Sequence, residues 1–261
     1  MEKVKKVLDR IFIEGLSAMA QGLFATLIIG TIIQQIGSFI PGQAGTILFV
    51  IGKVAASLTG AGIGVAVAYK FNESPLVVVS AATAGMTGAF ASKLLAGTVL
   101  VDGAMVYSSP GEPLGAFLAA YVGIYFGHLV SGKTKVDILV TPIISIGTGS
   151  AVGLILGPPI SGFMVWLGSV INWGTEQQPF LMGIIVSVLM GMILTLPISS
   201  AALGIILNLS GLAAGAATIG CCCNMVGFAV ASYRENKIGG LLAQGIGTSM
   251  LQVPNIVRKP I

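Results

Sequence analysis

Charged residues are scarce in this sequence. Only 8% of its 261 residues are Asp, Glu, Lys or Arg, whereas an ordinary soluble domain has about 25%. Hydrophobic residues make up 55% of the chain and the mean hydropathy is +0.97. No stretch is polar enough to form a soluble domain, so the composition indicates a polytopic membrane protein.

The residues that carry hydrolytic, redox or metal chemistry are also few. His128 is the single histidine, and the three cysteines, Cys221, Cys222 and Cys223, are contiguous in an apolar stretch. Neighbouring cysteines do not easily form an unstrained disulfide, and no histidine or acid lies near them to complete a metal site. A GxxxxGK nucleotide-binding loop is absent as well. We therefore expect no catalytic residue, no metal and no cofactor, and we interpret the cysteines as packing residues.

Long uncharged runs are abundant, and the longest extends over residues 177–233. Its 57 residues (177 to 233) lie between Glu176 and Arg234, and one bilayer crossing needs only about 20. The run must therefore fold back within the membrane. Pro197 interrupts it and is followed by serines and asparagines. Helices broken at membrane depth beside polar groups are how transporters form solute sites.

A shorter version of this pattern occurs earlier in the chain. Pro75 is followed by Ser80 and two alanines, and Pro197 by Ser200 and two alanines, with the two serines 120 positions apart. Two weakly similar halves, each with a broken hydrophobic segment, are typical of transporters built from repeats. We predict an amphipathic cytoplasmic segment over 1–14 and two transmembrane repeats, 15–135 and 136–261.

The predicted fold class is an all-α polytopic membrane protein with eight to ten membrane segments in two structural repeats with broken or re-entrant helices. Residues 238–253 are short and Gly-rich, which fits either a re-entrant or an interfacial segment. Whether the repeats are parallel or inverted depends on whether a broken segment crosses or returns. The first predicted spans are 12–40, 46–69, 75–100 and 114–130. A later break is predicted at Gly157-Pro158-Pro159.

The basic residues are clustered at the start of the chain and in short loops. Lysines and arginines of this kind accumulate in cytoplasmic loops of membrane proteins, so we interpret the clusters as topology determinants and expect no nucleic-acid partner. With the predicted spans, the N-terminus and the loop containing Lys133 and Lys135 are both cytoplasmic. The partner that we expect instead is the lipid bilayer around the helices.

Polar residues beside the predicted breaks are the candidate ligands of a small polar solute. For Glu73 the alternatives are a solvated loop acid and a ligand for solute or proton. The serines can satisfy freed backbone groups as well as line a site, and the asparagines can instead bond between helices. His128 is either an interface residue or a proton relay. The candidate solute-binding residues are Glu73, Ser80, Ser199, Ser200, Asn208, Asn224 and Gln178.

The two breaks, around Glu73 to Ser80 and around Pro197 to Asn208, are predicted to meet near the bilayer midplane, as broken helices do in repeat transporters. A neutral solute with hydroxyl groups suits this set better than an anion. The only formal charge near it is the carboxylate of Glu73, and we expect no arginine there to bind a carboxylate or phosphate.

Specific stretches resemble a known family. The runs VDILVTPIISIGTGSAVGLILGPPISGFMVW and TLPISSAALGIILNLSGLAAGAATIGCCCNMVGFAVASY resemble the IIC-like membrane proteins of the bacterial phosphotransferase system, and more narrowly the toxin-regulator branch of the second IIC family. The resemblance extends from about Phe12 to Val257 and is strongest from Asp137 onward. It implies a homodimeric helical transporter with re-entrant hairpins in a bacterial plasma membrane.

Three functions are consistent with these observations. The first is an IIC-like permease that moves a small polar, sugar-like solute by alternating access, without phosphoryl-transfer residues of its own. Phosphorylation of the solute would then require separate IIA-type and IIB-type proteins, as the resemblance implies. The second is a membrane sensor that binds a solute and regulates gene expression without transport. The third, a channel, lacks a recognisable ring of charged or carbonyl ligands.

Overall fold

A computed structural model describes residues 10–101, 104–106, 111–195, 209 and 211–258 of the chain. By its contacts the chain divides into two compact units, Met1–Ser161 and Gly162–Ile261. The boundary predicted between the two repeats, at 135/136, stays a prediction.

Helices make up nearly all of the described chain. A π-helical stretch, Arg10–Gly15, precedes the first helix. Two short antiparallel strands of two residues each, β1 Leu100–Val101 and β2 Ala104–Met105, pair as a β-hairpin. The α-helices are α1 Leu16–Phe39 (with a π-helical segment at Phe24–Ile28), α2 Gln43–Ser57, α3 Thr59–Lys70, α4 Pro75–Ala89, α5 Ala91–Leu95, α6 Pro113–Val130, α7 Asp137–Gln177, α8 Pro179–Thr195, α9 Gly211–Ala231, α10 Tyr233–Leu242 and α11 Val253–Arg258.

Four helical segments in the described residues are long and apolar enough to cross a membrane. A fifth is present if the bent pair α2 and α3 counts as one span. Large apolar side chains such as Phe39, Val79 and Phe180 are strongly exposed, as expected of helices that face lipid. The predicted class, an all-α polytopic membrane protein, is confirmed, and the number of eight to ten segments stays a prediction. The four segments are Leu16–Phe39, Pro113–Val130, Asp137–Phe163 and Gly211–Ala231.

The second predicted span, 46–69, is not one straight helix. It bends by 54° between α2 and α3, at Leu58. The buried hydroxyl of Thr59 donates a hydrogen bond to the carbonyl of Ala56 at 2.7 Å. A side chain that enters the backbone ladder is a known cause of helix kinks, so the first unit has a helix break that the sequence did not indicate.

Two further boundaries differ from prediction. The third span was predicted over 75–100, but α4 ends at Ala89 and the chain continues through short α5 to the β-hairpin. The break predicted at Gly157-Pro158-Pro159 is wrong, because α7 continues through both prolines. A Cβ on Gly157 would collide with Ala91 at the start of α5, so α7 packs closely against α5 next to these prolines. Neighbouring helices can satisfy the backbone groups that proline leaves free in a membrane helix.

Close packing in the first unit joins α3, α4 and α6. A Cβ on Gly64 of α3 would collide with the carbonyl of Ala81 on α4. The first part of α7 is attached to α6 by a buried hydrogen bond that Ser145 donates to the carbonyl of Gly123 at 2.9 Å. Small residues allow such close approach of membrane helices, and hydroxyls bond between them.

In the second unit α8 packs on α9. A Cβ on Gly220 of α9 would collide with the carbonyl of Ser187 on α8. The chain then turns through α10, whose backbone is non-helical at Lys237 (φ 51°), into a π-helical stretch, Ala243–Gly247, and a 3-10 helix, Ser249–Gln252. These short pieces fit both interpretations of 238–253, re-entrant and interfacial.

Candidate solute site

The turn between α3 and α4 has the geometry of a Schellman motif. Asn72 has a left-handed backbone, with φ 56°, and its N–H donates to the carbonyl of Tyr69 at 3.0 Å. The N–H of Glu73 donates to the carbonyl of Ala68 at 3.1 Å. Asparagine tolerates this conformation better than most residues. Pro75 then begins α4, where its missing N–H costs nothing. The backbone of Glu73 is thus held between two helices.

The side chain of Glu73 is buried, with 3% of its surface exposed. Its Oε2 lies 2.8 Å from Nδ1 of His128. An ionised carboxylate only accepts hydrogen bonds, so Nδ1 is the donor of this contact when Glu73 is ionised. Its Oε1 lies 3.6 Å from the guanidinium of Arg10 and, among the described residues, has no hydrogen-bond partner. An unsatisfied buried acceptor of this kind costs about 1–3 kcal/mol or more.

A small cavity of about 60 Å³ adjoins this carboxylate. The guanidinium of Arg10 stacks over the ring of Phe71 at 4.4 Å, and Phe71 meets Tyr121 edge to face at 6.0 Å. This volume holds one or a few water-sized groups, so a solute could insert a hydroxyl group but not a whole sugar ring. The cavity is lined by Arg10, Phe71, Glu73, Tyr121, Ile124, Tyr125 and His128.

Helix α6 supplies most of this wall from one face. Residues at positions i, i+3, i+4 and i+7 lie on the same side of an α-helix, and here they are Tyr121, Ile124, Tyr125 and His128. The hydroxyl of Ser74, in the turn, lies 2.8 Å from that of Ser131, just beyond the end of α6. This contact attaches the turn to the helix that carries His128.

Residues 13–261 match the family described as Phosphotransferase system, EIIC. The chain belongs to this family. No curated protein and no solved structure shows significant similarity to it. The EIIC family, together with the apolar helices, makes the chain a multi-pass plasma-membrane protein and a transport component with a permease-like role for a sugar-type solute.

In this EIIC protein the structure places two of the predicted site residues in the first unit. Glu73 lies in the cluster with His128 and Arg10, and its burial excludes the interpretation as a solvated loop acid. Ser80 is buried on α4, where its hydroxyl donates to the carbonyl of Leu76 at 2.7 Å. Ser80 does not line the cavity beside Glu73.

The remaining predicted residues belong to the second unit. The amide nitrogen of Asn224 donates a hydrogen bond to the carbonyl of Gly191, so this side chain bonds between α9 and α8. Gln178 is exposed between α7 and α8. Ser199, Ser200 and Asn208 lie outside the described residues, as does the whole of the second predicted break, Pro197 to Asn208. The meeting of the two breaks therefore stays a prediction.

One expectation about charge is wrong. We expected no arginine near the site, yet the guanidinium of Arg10 lies beside Glu73. Arg10 and Glu73 are 63 positions apart in sequence (73 − 10), and no local pattern relates them. His128 is the hydrogen-bond partner of Glu73, and the two interpretations of it, an interface residue or a proton relay, stay predictions. The spacing of Tyr121, Tyr125 and His128 on one helix face was the signal available for this group.

Proposed function

We propose that this EIIC protein moves a small polar, sugar-like solute across the plasma membrane by alternating access, and that Glu73 binds a hydroxyl group of that solute. The observation that carries the proposal is the acceptor Oε1 of Glu73, which is buried beside a small cavity and has no hydrogen-bond partner among the described residues. A solute hydroxyl that donates to Oε1 would supply the missing bond.

The neighbours of Glu73 suit a neutral solute. Arg10 offsets the carboxylate charge, and His128 holds the second oxygen in place. The guanidinium of Arg10 lies 3.6 Å from Oε1, which is farther than hydrogen-bond distance. Arg10 therefore leaves that acceptor available. An anionic solute would meet the carboxylate as well as the arginine, which disfavours it.

The cavity beside Glu73 is too small for a whole sugar, which fits a transport cycle in which the site widens and narrows. Alternating access arises when one repeat moves against the other around a fixed site. We propose that the second repeat supplies further ligands, and that any phosphoryl transfer is performed by separate IIA-type and IIB-type proteins. We further propose a homodimer with a cytoplasmic N-terminus. The residues proposed as further ligands are Ser80 from the first repeat and Gln178, Ser199, Ser200, Asn208 and Asn224 from the second.

Binding and uptake measured on the same variants test this proposal. Purified protein is titrated with sugars and polyols while its thermal stability is followed, since a ligand that binds the folded state raises stability. The best ligand is then used for uptake into proteoliposomes. Glu73→Gln should weaken binding by about 10-fold or more, because hydrogen bonds to charged groups are stronger than neutral ones. The matched control is Glu14→Gln, which removes an exposed carboxylate of the same unit.

The two readouts separate the outcomes. Loss of binding and uptake in Glu73→Gln, with Glu14→Gln unchanged, supports the site and the permease. Unchanged ligand affinity in Glu73→Gln removes Glu73 from the site. Ligand binding by the wild type without uptake contradicts transport and favours the membrane sensor instead.

A further inference from the structure

An apolar groove lies on the surface of the first unit, between α1 and α3. It has a volume of about 700 Å³, which is toward the upper end of the usual range of about 300–1,000 Å³ for small-molecule sites. Of the described residues that line it, none lines the cavity beside Glu73. The groove is therefore a feature separate from the candidate solute site.

Helix α3 gives the groove one straight wall. Gly62, Val65, Ala66 and Tyr69 line it at positions i, i+3, i+4 and i+7, which lie on one side of an α-helix. The wall from Gly62 to Lys70 is about 12 Å long at the rise of an α-helix. Val65 is 40% exposed and Tyr69 79%, so the groove is open to the surroundings of the protein, which are lipid for a helix inside a membrane.

Helix α1 gives the opposite wall, and small residues let it approach α3 closely. A Cβ on Gly22 would collide with the backbone of Gly62, and a Cβ on Gly62 would collide with the methyl group of Thr26. The hydroxyl of Thr26 is satisfied within its own helix, because it donates to the carbonyl of Gly22 at 2.7 Å. Ala25 also lines this wall and is exposed. Apart from the amide of Gln21, the body of the groove therefore presents mainly C–H surface, which suits an acyl chain better than a solute with hydroxyl groups.

One end of the groove is cationic. Lys70, the last residue of α3, lines it and is exposed. Its ammonium group forms no ion pair with any residue that the structure describes. Tyr69 and Asn72 line the groove beside it and are exposed as well. An ammonium, a phenol and an amide all donate hydrogen bonds, and bonds from a cation to a phosphate oxygen are among the strong ones.

The same end of the unit carries further lysines. The hydroxyl of Ser74, in the turn after Lys70, lies 2.8 Å from that of Ser131. The loop that follows Ser131 holds Lys133 and Lys135, both exposed. The topology predicted from the sequence puts this loop in the cytoplasm, where basic residues attract the anionic lipids of the inner leaflet. The phosphate of such a lipid would lie at the level of these lysines, and its acyl chains would extend into the membrane along α1 and α3.

We propose that this groove binds one anionic phospholipid, with its phosphate group at Lys70 and an acyl chain along Gly62, Ala66 and Ala25. An apolar body with a cationic end is complementary to that molecule in both shape and charge. A zwitterionic lipid would offer the same acyl chain, but its own cation would weaken the attraction to Lys70. The lipid is a partner additional to the transported solute, so this proposal does not rest on Glu73.

The test uses the full-length protein in detergent, and native mass spectrometry measures the affinity for the first lipid molecule bound. The probes are phosphatidylglycerol and phosphatidylcholine with identical acyl chains, and glycerol phosphate, which has the phosphate but no acyl chain. Lys70→Gln removes the cation, and its control is Lys133→Gln, an exposed lysine at the same end that does not line the groove. Ala25→Leu fills the groove, and its control is Ala151→Leu, an exposed alanine on α7 of the same unit.

We expect phosphatidylglycerol to bind at least about 5-fold more tightly than phosphatidylcholine. Lys70→Gln should reduce this preference about 5-fold, whereas Lys133→Gln should change it less than about 2-fold. Ala25→Leu should weaken the binding of both lipids, and Ala151→Leu should weaken neither. Phosphatidylglycerol with a photoreactive group in its acyl chain should label residues 21–26, and Ala25→Leu should abolish that labelling.

Several results would overturn the proposal. They are equal binding of the two lipids, an unchanged preference in Lys70→Gln, an equal loss in Lys133→Gln, and displacement of phosphatidylglycerol by glycerol phosphate, which would indicate a site for free phosphate compounds. If Ala25→Leu converts a dimer into a monomer without changing lipid binding, the groove is a contact between copies of the chain instead. Neither Lys70 nor Ala25 lines the cavity beside Glu73, so a failure of this proposal is distinct from a failure of the proposed solute site.

Discussion

The contact between Gly64 and Ala81 sets the distance between the two helices that present Glu73, and Gly64→Ala should test it. A methyl group at Gly64 would meet the backbone carbonyl of Ala81, which cannot rotate away as a side chain can. Overpacking of this kind lowers the free energy of unfolding by about 1–3 kcal/mol. Alanine in place of a helical glycine raises it by about 0.5–1 kcal/mol. The net expected destabilisation is therefore about 0–2.5 kcal/mol relative to the wild type, and about 1–3 kcal/mol relative to a glycine-to-alanine change without the collision. Because the turn that carries Glu73 follows α3, we also expect weaker solute binding.

The matched control is Gly147→Ala, on α7 in the same unit. A Cβ on Gly147 would have no neighbouring atom of the described residues within 4 Å, so this variant should keep the stability of the wild type or gain up to about 1 kcal/mol. Thermal unfolding of both purified variants in one detergent measures the difference, which should be a few degrees for a chain of this size. A Gly64→Ala protein as stable as Gly147→Ala would refute the inferred approach of α3 to α4.

Three further predictions concern single side chains. Glu112 is buried, which raises the pKa of its carboxyl group above 4.5, although the hydrogen bond from the N–H of Leu114 acts in the opposite direction. The folded state then binds the proton more tightly than the unfolded state, so stability should fall as pH rises from about 4.5 through the raised pKa, and Glu112→Gln should remove that fall in melting scans at pH 4 to 8. Asn72→Gly should fold and bind solute like the wild type, whereas Asn72→Val should destabilise by about 1–3 kcal/mol because a β-branched residue resists positive φ; equal melting temperatures would contradict the turn geometry. Asn224→Leu should destabilise by about 0.5–1.5 kcal/mol because it removes the hydrogen bond that joins α9 to the carbonyl of Gly191 on α8, and an unchanged melting temperature would show that this bond contributes little.

The candidate site shows where sequence reasoning succeeds and where it ends. Glu73 was selected because an acid stands beside a proline in an apolar chain, and the structure buries that acid at a helix boundary. Ser80 was selected by the same proximity, but its hydroxyl is occupied by its own helix. Proximity to a proline does not decide which way a helical side chain faces, since that depends on the neighbouring helices.

Composition and hydropathy by themselves determined that the chain is a polytopic helical membrane protein, because the cost of placing charges and free backbone groups in lipid leaves few other structures. The run of residues 137–257 likewise carried the resemblance to the EIIC family, which the match over 13–261 confirms. The tertiary structure decided the partners of Glu73. Arg10 and His128 are 63 and 55 positions from it (73 − 10 and 128 − 73), and only the packing of the Arg10–Gly15 stretch and of α6 around the turn between α3 and α4 brings their nitrogens to the carboxylate. Contacts of that range depend on how close helices approach, and hydropathy along the chain does not encode that distance.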